Sequence, residues 1–264
     1  MSRITNIFKA LKEKNKKALI PYITAGDPHP DLTVSMMHAL VEAGADMIEL
    51  GIPFSDPMAD GPIIQRASER ALAHHVSLSH VFKMVKIFRE KDAQTPIILM
   101  GYANPIEAIG AEAFVERAKA SDVDGIITVD YPPEECMQFT SLLKEKNINS
   151  IFLLSPTTEL DRVKLIIEQT SGFLYYVSLK GVTGAANIDI EQVKSRVAMI
   201  RKLTNLPIGV GFGVKDAATA KEVAKISDAI VVGSRIVQEI ENSNKDNLII
   251  NISKLMKELR QAVN

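Results

Sequence analysis

The sequence predicts an α/β fold, a (β/α)₈ TIM barrel in which residues 1–264 form one domain. Eight short apolar runs recur along the chain, and segments with helical periodicity separate them. Strands that are apolar on both faces and alternate with helices are typical of a parallel sheet covered on both sides. Eight such units in about 250 residues favour a barrel over an open doubly wound sheet. No Ser/Gly/Pro-rich linker divides the chain.

The elements follow in a regular order. Ile4, Ile7, Phe8 and Leu11 have the spacing of an amphipathic helix, which we predict to precede the first strand. The predicted strands are 19–24, 46–50, 97–102, 125–129, 150–154, 173–177, 207–210 and 229–232. Helical segments include 32–43, 111–120, 159–169, 190–203 and 217–225, and a closing amphipathic helix carries Leu248, Ile249, Ile252, Leu255, Met256 and Leu259.

The connection after predicted strand 2 is unusually long. Starts of successive strands are mostly 22 to 34 residues apart, but 51 residues separate the starts of strands 2 and 3. This length predicts an enlarged loop and an extra helix. Loops after the strands of such a barrel lie on its catalytic face, so the loop beginning at Gly51 is expected to carry function. A second long loop, residues 178–187, follows predicted strand 6.

Composition excludes several classes of function. The net charge of −1 argues against binding nucleic acid or an anionic membrane. Cys136 is the only cysteine, which excludes an intramolecular disulfide and any multi-cysteine metal site and favours a cytoplasmic protein. No apolar run reaches the roughly 18 residues of a membrane span. The five histidines lack metal-ligand spacing, so no metal is expected: His29, His38, His74, His75 and His80.

Glu49 is the first candidate catalytic residue. Alternation along strand 2 places Met47, Glu49 and Gly51 on one face, and Ile48 and Leu50 on the other. Glu49 therefore points into the barrel near its C-terminal mouth, where desolvation raises the pKa of a carboxyl group. A carboxylic acid that stays protonated near neutral pH is suited to general acid catalysis. The alternative is a structural glutamate paired with a basic side chain.

Asp60 is the second candidate, and two interpretations remain open for it. An Asp before Gly61-Pro62 and an apolar run suits a turn or a helix cap as well as it suits catalysis. Pro53, Pro57 and Pro62 restrict the backbone of this loop, which favours a defined geometry for its carboxylates.

Glycines after three late strands predict a phosphate site. Gly181-Val-Thr-Gly184 follows strand 6, Gly211-Phe-Gly213 follows strand 7, and Gly233-Ser234 follows strand 8. Glycine lets backbone N–H groups approach a phosphate, and a helix N-terminus adds a favourable dipole. Barrels of this kind often bind phosphate with the loops after strands 7 and 8.

These residues lie in stretches that resemble the α subunits of tryptophan synthase. The resemblance covers the whole chain and is carried by Pro21-Tyr-Ile-Thr-Ala-Gly-Asp-Pro28, Glu49-Leu-Gly-Ile-Pro-Phe-Ser-Asp-Pro57, Ala59-Asp-Gly-Pro62, Met100-Gly-Tyr-Ala-Asn-Pro105, Gly181-Val-Thr-Gly184 and Gly211-Phe-Gly213. It implies retro-aldol cleavage of indole-3-glycerol phosphate to indole and glyceraldehyde 3-phosphate in tryptophan biosynthesis. It implies no cofactor in this chain, with pyridoxal phosphate only in a partner β subunit.

The resemblance also implies roles for individual residues. Glu49 matches the general acid and Asp60 the carboxylate that stabilises positive charge on the indole ring. Substrate-binding positions implied by the resemblance are Tyr22, Met100, Ile127, Leu153, Tyr175, Thr183 and Phe212. The implied phosphate-binding residues are Gly184, Gly213, Gly233 and Ser234. The roles of Lys180 and of Arg235, where relatives often have a small residue, stay open.

A partner is implied in the same way. Family members form an α₂β₂ complex and pass indole to the β subunit, and the matching contact positions are Pro53, Asp56, Pro57, Asn104 and Pro132. Three rival hypotheses remain: a stand-alone indole-releasing lyase, an aldolase using Lys180 as a Schiff base, and a non-catalytic regulatory subunit that binds a phosphate ligand. Borohydride trapping tests the second.

Overall fold

The computed structural model describes residues 2–178, 189–211 and 213–264. The strands within them are β1 (Ala18–Thr24), β2 (Ile48–Gly51), β3 (Ile97–Gly101), β4 (Gly125–Thr128), β5 (Asn149–Ile151), β6 (Leu153–Leu154), β7 (Leu174–Val177), β8 (Ile208–Gly211) and β9 (Ala229–Val232). The helices are α1 (Arg3–Glu13), α2 (Pro30–Glu42), α3 (Pro62–Ala73), α4 (Leu78–Arg89), α5 (Ala103–Ile109), α6 (Ala111–Ala120), α7 (Met137–Glu145), α8 (Leu160–Gln169), α9 (Ile190–Ile200), α10 (Ala217–Ile226), α11 (Ser234–Glu241) and α12 (Leu248–Val263).

The strands form a closed parallel barrel. Their order in the sheet is β5-β4-β3-β2-β1-β9-β8-β7-β6, and every pair is parallel. Only Phe152 separates β5 from β6, so the two ends of this order are consecutive in the chain and the ring closes. The prediction of one continuous strand at 150–154 was wrong in this detail, because pairing with β4 ends at Ile151 and pairing with β7 begins at Leu153.

The sheet separates two apolar layers. Ile48, Leu50 and Ile52 belong to the outer layer, which packs under the helices. Met47 belongs to the inner layer, which fills the barrel. The alternation predicted for strand 2 is thereby confirmed, and it directs Glu49 to the interior.

Helix α1 closes the N-terminal end of the barrel. The side chains of Ile4 and Phe8 are buried in the inner layer, and the rings of Phe8 and Phe173 lie 5.6 Å apart. The hydroxyl of Ser2 accepts a hydrogen bond from the backbone N–H of Thr5, which caps the helix. The predicted amphipathic helix is therefore confirmed, and the accessible end of the barrel is the C-terminal one.

A side-chain acceptor recurs at the N-terminal end of the strands. Four residues that precede strands accept a hydrogen bond from a backbone N–H at the start of the neighbouring strand. The bonds run from Leu19 to Asp46 (2.8 Å), from Ile97 to Asp124 (2.8 Å), from Ser150 to Ser171 (3.0 Å) and from Ile208 to Asp228 (2.9 Å). They satisfy amides that lie outside the regular ladder and join the strands in pairs.

The connection between β2 and β3 contains two helices, α3 and α4, which confirms the predicted extra helix. Helix α3 begins with Pro62, and its N-cap is Gly61. Both lie directly after the loop that carries Asp60. Among all residues described here, no helix is long and apolar enough to span a membrane.

Candidate active site

A cavity of about 350 Å³ opens at the C-terminal end of the barrel. Eight of the residues to which the sequence assigned a role line it together: Tyr22, Glu49, Asp60, Met100, Tyr175, Gly213, Gly233 and Ser234. Seven further residues complete the lining: Ile63, Ile64, Val214, Lys215, Val231, Arg235 and Gln238. The strands thus bring together side chains from β1, β2, β3 and β7 with the loops after β8 and β9.

Glu49 is buried without a compensating charge. Its side chain lies opposite Tyr22 of β1 in the parallel ladder, and the residue is 1% exposed. Its Oε2 atom has no hydrogen-bond partner among the described residues. Burial raises the pKa of Glu49 from 4.5 to about 8, and the nearby charge of Asp60 adds to the rise. This environment keeps the carboxyl protonated at neutral pH, and no ion pair from the described residues supports the structural alternative.

Asp60 is held by a hydrogen bond from the residue that follows β3 rather than by capping a helix. The hydroxyl of Tyr102 donates to Asp60 Oδ2 at 2.9 Å. The N-cap of α3 is Gly61, so the helix-cap interpretation of Asp60 was wrong. Burial raises the pKa of Asp60, while the hydrogen bond from Tyr102 acts in the opposite direction. The carboxylate faces the cavity shared with Glu49.

Tyr102 is a site residue that the sequence reasoning missed. Its oxygen also accepts the backbone N–H of Ala59 at 3.1 Å, and its ring stacks on Phe54 with centroids 5.2 Å apart. The tyrosine therefore fixes both the backbone and the carboxylate of the loop after β2. A signal was present in the sequence, because alternation along strand 3 places Tyr102 on the same side as Met100.

Two tyrosines lie against glycines inside the barrel. Tyr22 covers Gly51 and Tyr175 covers Gly211, each so closely that a Cβ atom on the glycine would collide with the phenol. The Tyr22 hydroxyl is 3.3 Å from Thr24 Oγ1. Burial raises the pKa of both tyrosines well above the ordinary value, so their hydroxyls stay neutral. They supply flat, uncharged walls to the cavity.

The other side of the cavity is formed by the glycine and serine residues after β8 and β9. Gly213 has a φ of 77°, a conformation that favours glycine. Gly233 is the N-cap of α11, and Ser234 is the first residue of that helix. The helix N-terminus directs free backbone N–H groups and the positive end of the dipole toward this part of the cavity. Such an arrangement suits an anion.

The sequence profile of the family described as "Tryptophan synthase alpha chain" matches residues 8–264. This chain belongs to that family. Its relatives include the alpha chains of Janthinobacterium sp. (strain Marseille), 58% identical over 263 residues, and of Herminiimonas arsenicoxydans, 59% identical over 263 residues. In both comparisons the match covers 100% of this chain and 99% of the relative.

Solved structures agree with this assignment. The tryptophan synthase subunit alpha of Legionella pneumophila str. Paris superimposes with a TM-score of 0.92 at 43% identity, covering 100% of this chain and 98% of that chain. A chain of the aminoacrylate-bound tryptophan synthase of M. tuberculosis gives a TM-score of 0.90 at 31% identity, with 100% of both chains covered. The predicted barrel is thus confirmed.

Membership of the alpha chain family determines the activity. The protein is a lyase that cleaves indole-3-glycerol phosphate in tryptophan biosynthesis. Alpha chains carry no cofactor, and pyridoxal phosphate is bound by the β subunit of the synthase. Within the described ranges, no group of three or more His, Cys, Asp or Glu side chains is arranged to hold a metal ion.

Five expected positions of the alpha chain lie away from this lining or outside the described residues. Ile127 is buried in the inner layer and Leu153 packs against that layer, but neither borders the cavity. Thr183, Gly184 and Phe212 lie outside the residues that the structure describes, as does Lys180.

The expected partner positions differ in accessibility. Asp56 and Asn104 are exposed, Pro57 and Pro132 are half-buried, and Pro53 is buried. All five follow the C-terminal ends of β2, β3 or β4, so they share the face that opens the cavity. Two large apolar side chains are exposed on the same segments: Met58 is 71% exposed and Met137 is 59% exposed. This face of the alpha chain therefore presents apolar surface to solvent.

Proposed function

We propose that the cavity binds indole-3-glycerol phosphate, with Glu49 as general acid and Asp60 as the group that stabilises positive charge on the indole ring. The burial of Glu49, with a pKa near 8 and one oxygen lacking a hydrogen-bond partner in the described part of the chain, carries this proposal. A carboxyl group in that state holds a transferable proton at neutral pH and has a free oxygen to offer a substrate.

The reaction proceeds by two proton transfers, one from Glu49 and one back to it. Glu49 donates its proton to carbon 3 of the indole, which leaves a cation whose charge reaches the ring nitrogen. The bond between carbon 3 and the glycerol chain then breaks as the adjacent hydroxyl group loses its proton, and its carbon becomes the aldehyde of glyceraldehyde 3-phosphate. The carboxylate of Glu49 takes up that proton, so the acid is regenerated and no water is consumed.

Asp60 acts through charge. An ionised carboxylate near the ring nitrogen stabilises the cation more than it stabilises the neutral substrate, which lowers the barrier. The hydrogen bond from Tyr102 supports this role, because it lowers the pKa of Asp60 and fixes the position of its carboxylate. The proposal thus gives the two carboxyl groups different roles: Glu49 is the acid, and Asp60 is the anion that stabilises the cation.

The remaining lining supports the orientation of the substrate. Tyr22, Met100 and Tyr175 offer apolar walls to the flat indole ring, while Gly213 and Ser234 border the side suited to the phosphate. Thr183, Gly184 and Phe212 are proposed to complete these contacts on the strength of the family resemblance alone. Ile127 belongs to the same inner apolar layer as these walls, and Leu153 packs against that layer, so both contribute to its shape rather than contact the ring.

A β subunit is proposed to dock on the face around the cavity and to receive the indole. The exposed side chains of Asp56, Met58, Asn104 and Met137 on this face support the proposal. Indole released there would leave through the interface rather than into solvent. We further propose that residues 1–264 act as one domain in the cytoplasm.

The test is indole release from indole-3-glycerol phosphate by the purified protein, alone and with increasing amounts of a tryptophan synthase β subunit. We expect slow release that rises and saturates. Fast release that ignores the β subunit would favour a stand-alone lyase, and the docking proposal would fail. Glu49→Gln is expected to abolish release; full activity in this variant would exclude the acid role. No release by the wild type, with or without the β subunit, would favour a regulatory subunit.

A further inference from the structure

The cavity has acidic residues on one side and basic residues on the other. The carboxyl groups of Glu49 and Asp60 come from β2 and the loop after it, whereas Lys215 and Arg235 come from the segments after β8 and β9. These cationic side chains border the same part of the lining as Gly213 and Ser234. The side suited to an anion is therefore built from side-chain charge as well as from backbone N–H groups.

Arg235 occupies a position that is unfavourable for helix stability. It is the second residue of α11, and the first turn of this helix contains no acidic residue. A cation at a helix N-terminus opposes the helix dipole, which favours Asp or Glu there. Side chains that break a local rule of this kind are expected at functional positions, where a binding role offsets the cost.

A carboxylate one turn along the helix holds the guanidinium in this structure. Arg235 Nη1 lies 2.8 Å from Glu239 Oε2, and both side chains are partly buried, with 30% and 23% exposed. The arginine precedes the glutamate, which is the weaker of the two orientations for a pair four residues apart. Glu239 does not itself border the cavity, whereas Arg235 does.

We propose that Arg235 is a substrate-binding residue that recognises the phosphate group of the substrate. Its guanidinium pairs with Glu239 when no substrate is bound and exchanges this carboxylate for the phosphate when substrate binds. A phosphate dianion accepts two hydrogen bonds from the planar guanidinium and outcompetes a single, partly exposed carboxylate. Specificity for the phosphorylated substrate then depends on this side chain. The inference rests on the proposed placement of the phosphate beside Gly213 and Ser234.

The test compares wild type with Arg235→Ala, Arg235→Lys and Glu239→Gln. The readouts are KM and kcat for indole-3-glycerol phosphate and the inhibition constant of inorganic phosphate. Loss of a charge-assisted hydrogen bond is expected to raise both KM and the inhibition constant about 10-fold in Arg235→Ala, with kcat changed by about twofold or less. Arg235→Lys should recover part of the loss. Lys245→Ala, which removes a cation from the exposed segment after α11, is the matched control.

Glu239→Gln separates binding from structural support. If Arg235 binds phosphate, releasing it from Glu239 leaves KM and the inhibition constant unchanged or lower. If KM and the inhibition constant rise in Glu239→Gln as much as they do in Arg235→Ala, the inference would be overturned. The ion pair would then act by stabilising α11 rather than by binding phosphate. Unchanged constants in Arg235→Ala would overturn it as well. If the wild type cleaves the substrate but inorganic phosphate does not inhibit it, the proposed phosphate placement would be refuted, and the inference with it.

Discussion

Glu49→Gln is expected to raise the thermal stability of the barrel, and by more near pH 9 than near pH 6. In the folded protein the pKa of Glu49 is raised from 4.5 to about 8, so folding favours the protonated form. The folded state therefore loses stability as the pH rises from about 4.5 to about 8, where the unfolded chain is ionised and the folded chain resists ionisation. Glutamine has no charge to bury and escapes this loss.

The magnitude follows from the pKa. At about 1.4 kcal/mol for each tenfold change in the acid constant, a rise from 4.5 to about 8 costs about 5 kcal/mol once the group is ionised. About 3 kcal/mol of this falls between pH 6 and pH 9. For a chain of this size, that difference corresponds to about 5–10 °C in the melting temperature.

The assay is thermal unfolding followed by circular dichroism, because the chain contains no tryptophan for fluorescence. Wild type and variant are compared at both pH values, with Glu258→Gln on the exposed face of α12 as the matched control. The control should change the melting temperature equally at the two pH values. If Glu49→Gln raises the melting temperature equally at the two pH values, Glu49 has a pKa near its ordinary value. The basis for its acid role would then be lost.

Three further predictions concern the site and its support. The kcat/KM for indole release should fall as the pH rises through about 8, because Glu49 must be protonated; a kcat/KM profile that stays flat would contradict this. Tyr102→Phe should lower turnover about 10-fold and move the acidic limb of the kcat/KM profile to higher pH, because Asp60 loses the hydrogen bond that lowers its pKa; an unmoved limb would count against the role of Tyr102. Asp124→Ala should cost about 3–5 kcal/mol in denaturant unfolding, because two buried or half-buried arginines and a backbone N–H lose their acceptor, while the exposed Asp161→Ala should cost little.

Local periodicity in the sequence was sufficient to predict the repeating strands and helices of the barrel. The eight apolar runs and their spacing predicted the barrel, and alternation along strand 2 predicted that Glu49 points inward. Both follow because a strand directs successive side chains to opposite faces whatever its partners are. The long gap before strand 3 predicted an extra helix, because long connections without secondary structure are uncommon in a compact domain.

Sequence patterns could not decide between the two interpretations of Asp60. Its surroundings in the chain suit a cap and a catalytic carboxylate equally, and the deciding hydrogen bond comes from Tyr102, 42 residues away. Arg235 was undecided for a related reason, because exposure to solvent and entry into the cavity differ only in how α11 packs beside β1 and α3. The break at Phe152 also depends on neighbouring strands, since β4 pairs with the residues before Phe152 and β7 pairs with the residues after it.

The sequence by itself determined the fold class, the inward direction of Glu49 and, through family resemblance, the reaction. These depend on short-range pattern, which each segment carries within itself. The tertiary structure decided which carboxyl lacks a hydrogen-bond partner for one oxygen and which is hydrogen-bonded, that Tyr102 supports Asp60, and that Arg235 borders the cavity beside Gly213 and Ser234. Those properties depend on the distance between groups far apart in the chain, and a pKa is set by such distances rather than by the identity of neighbouring residues.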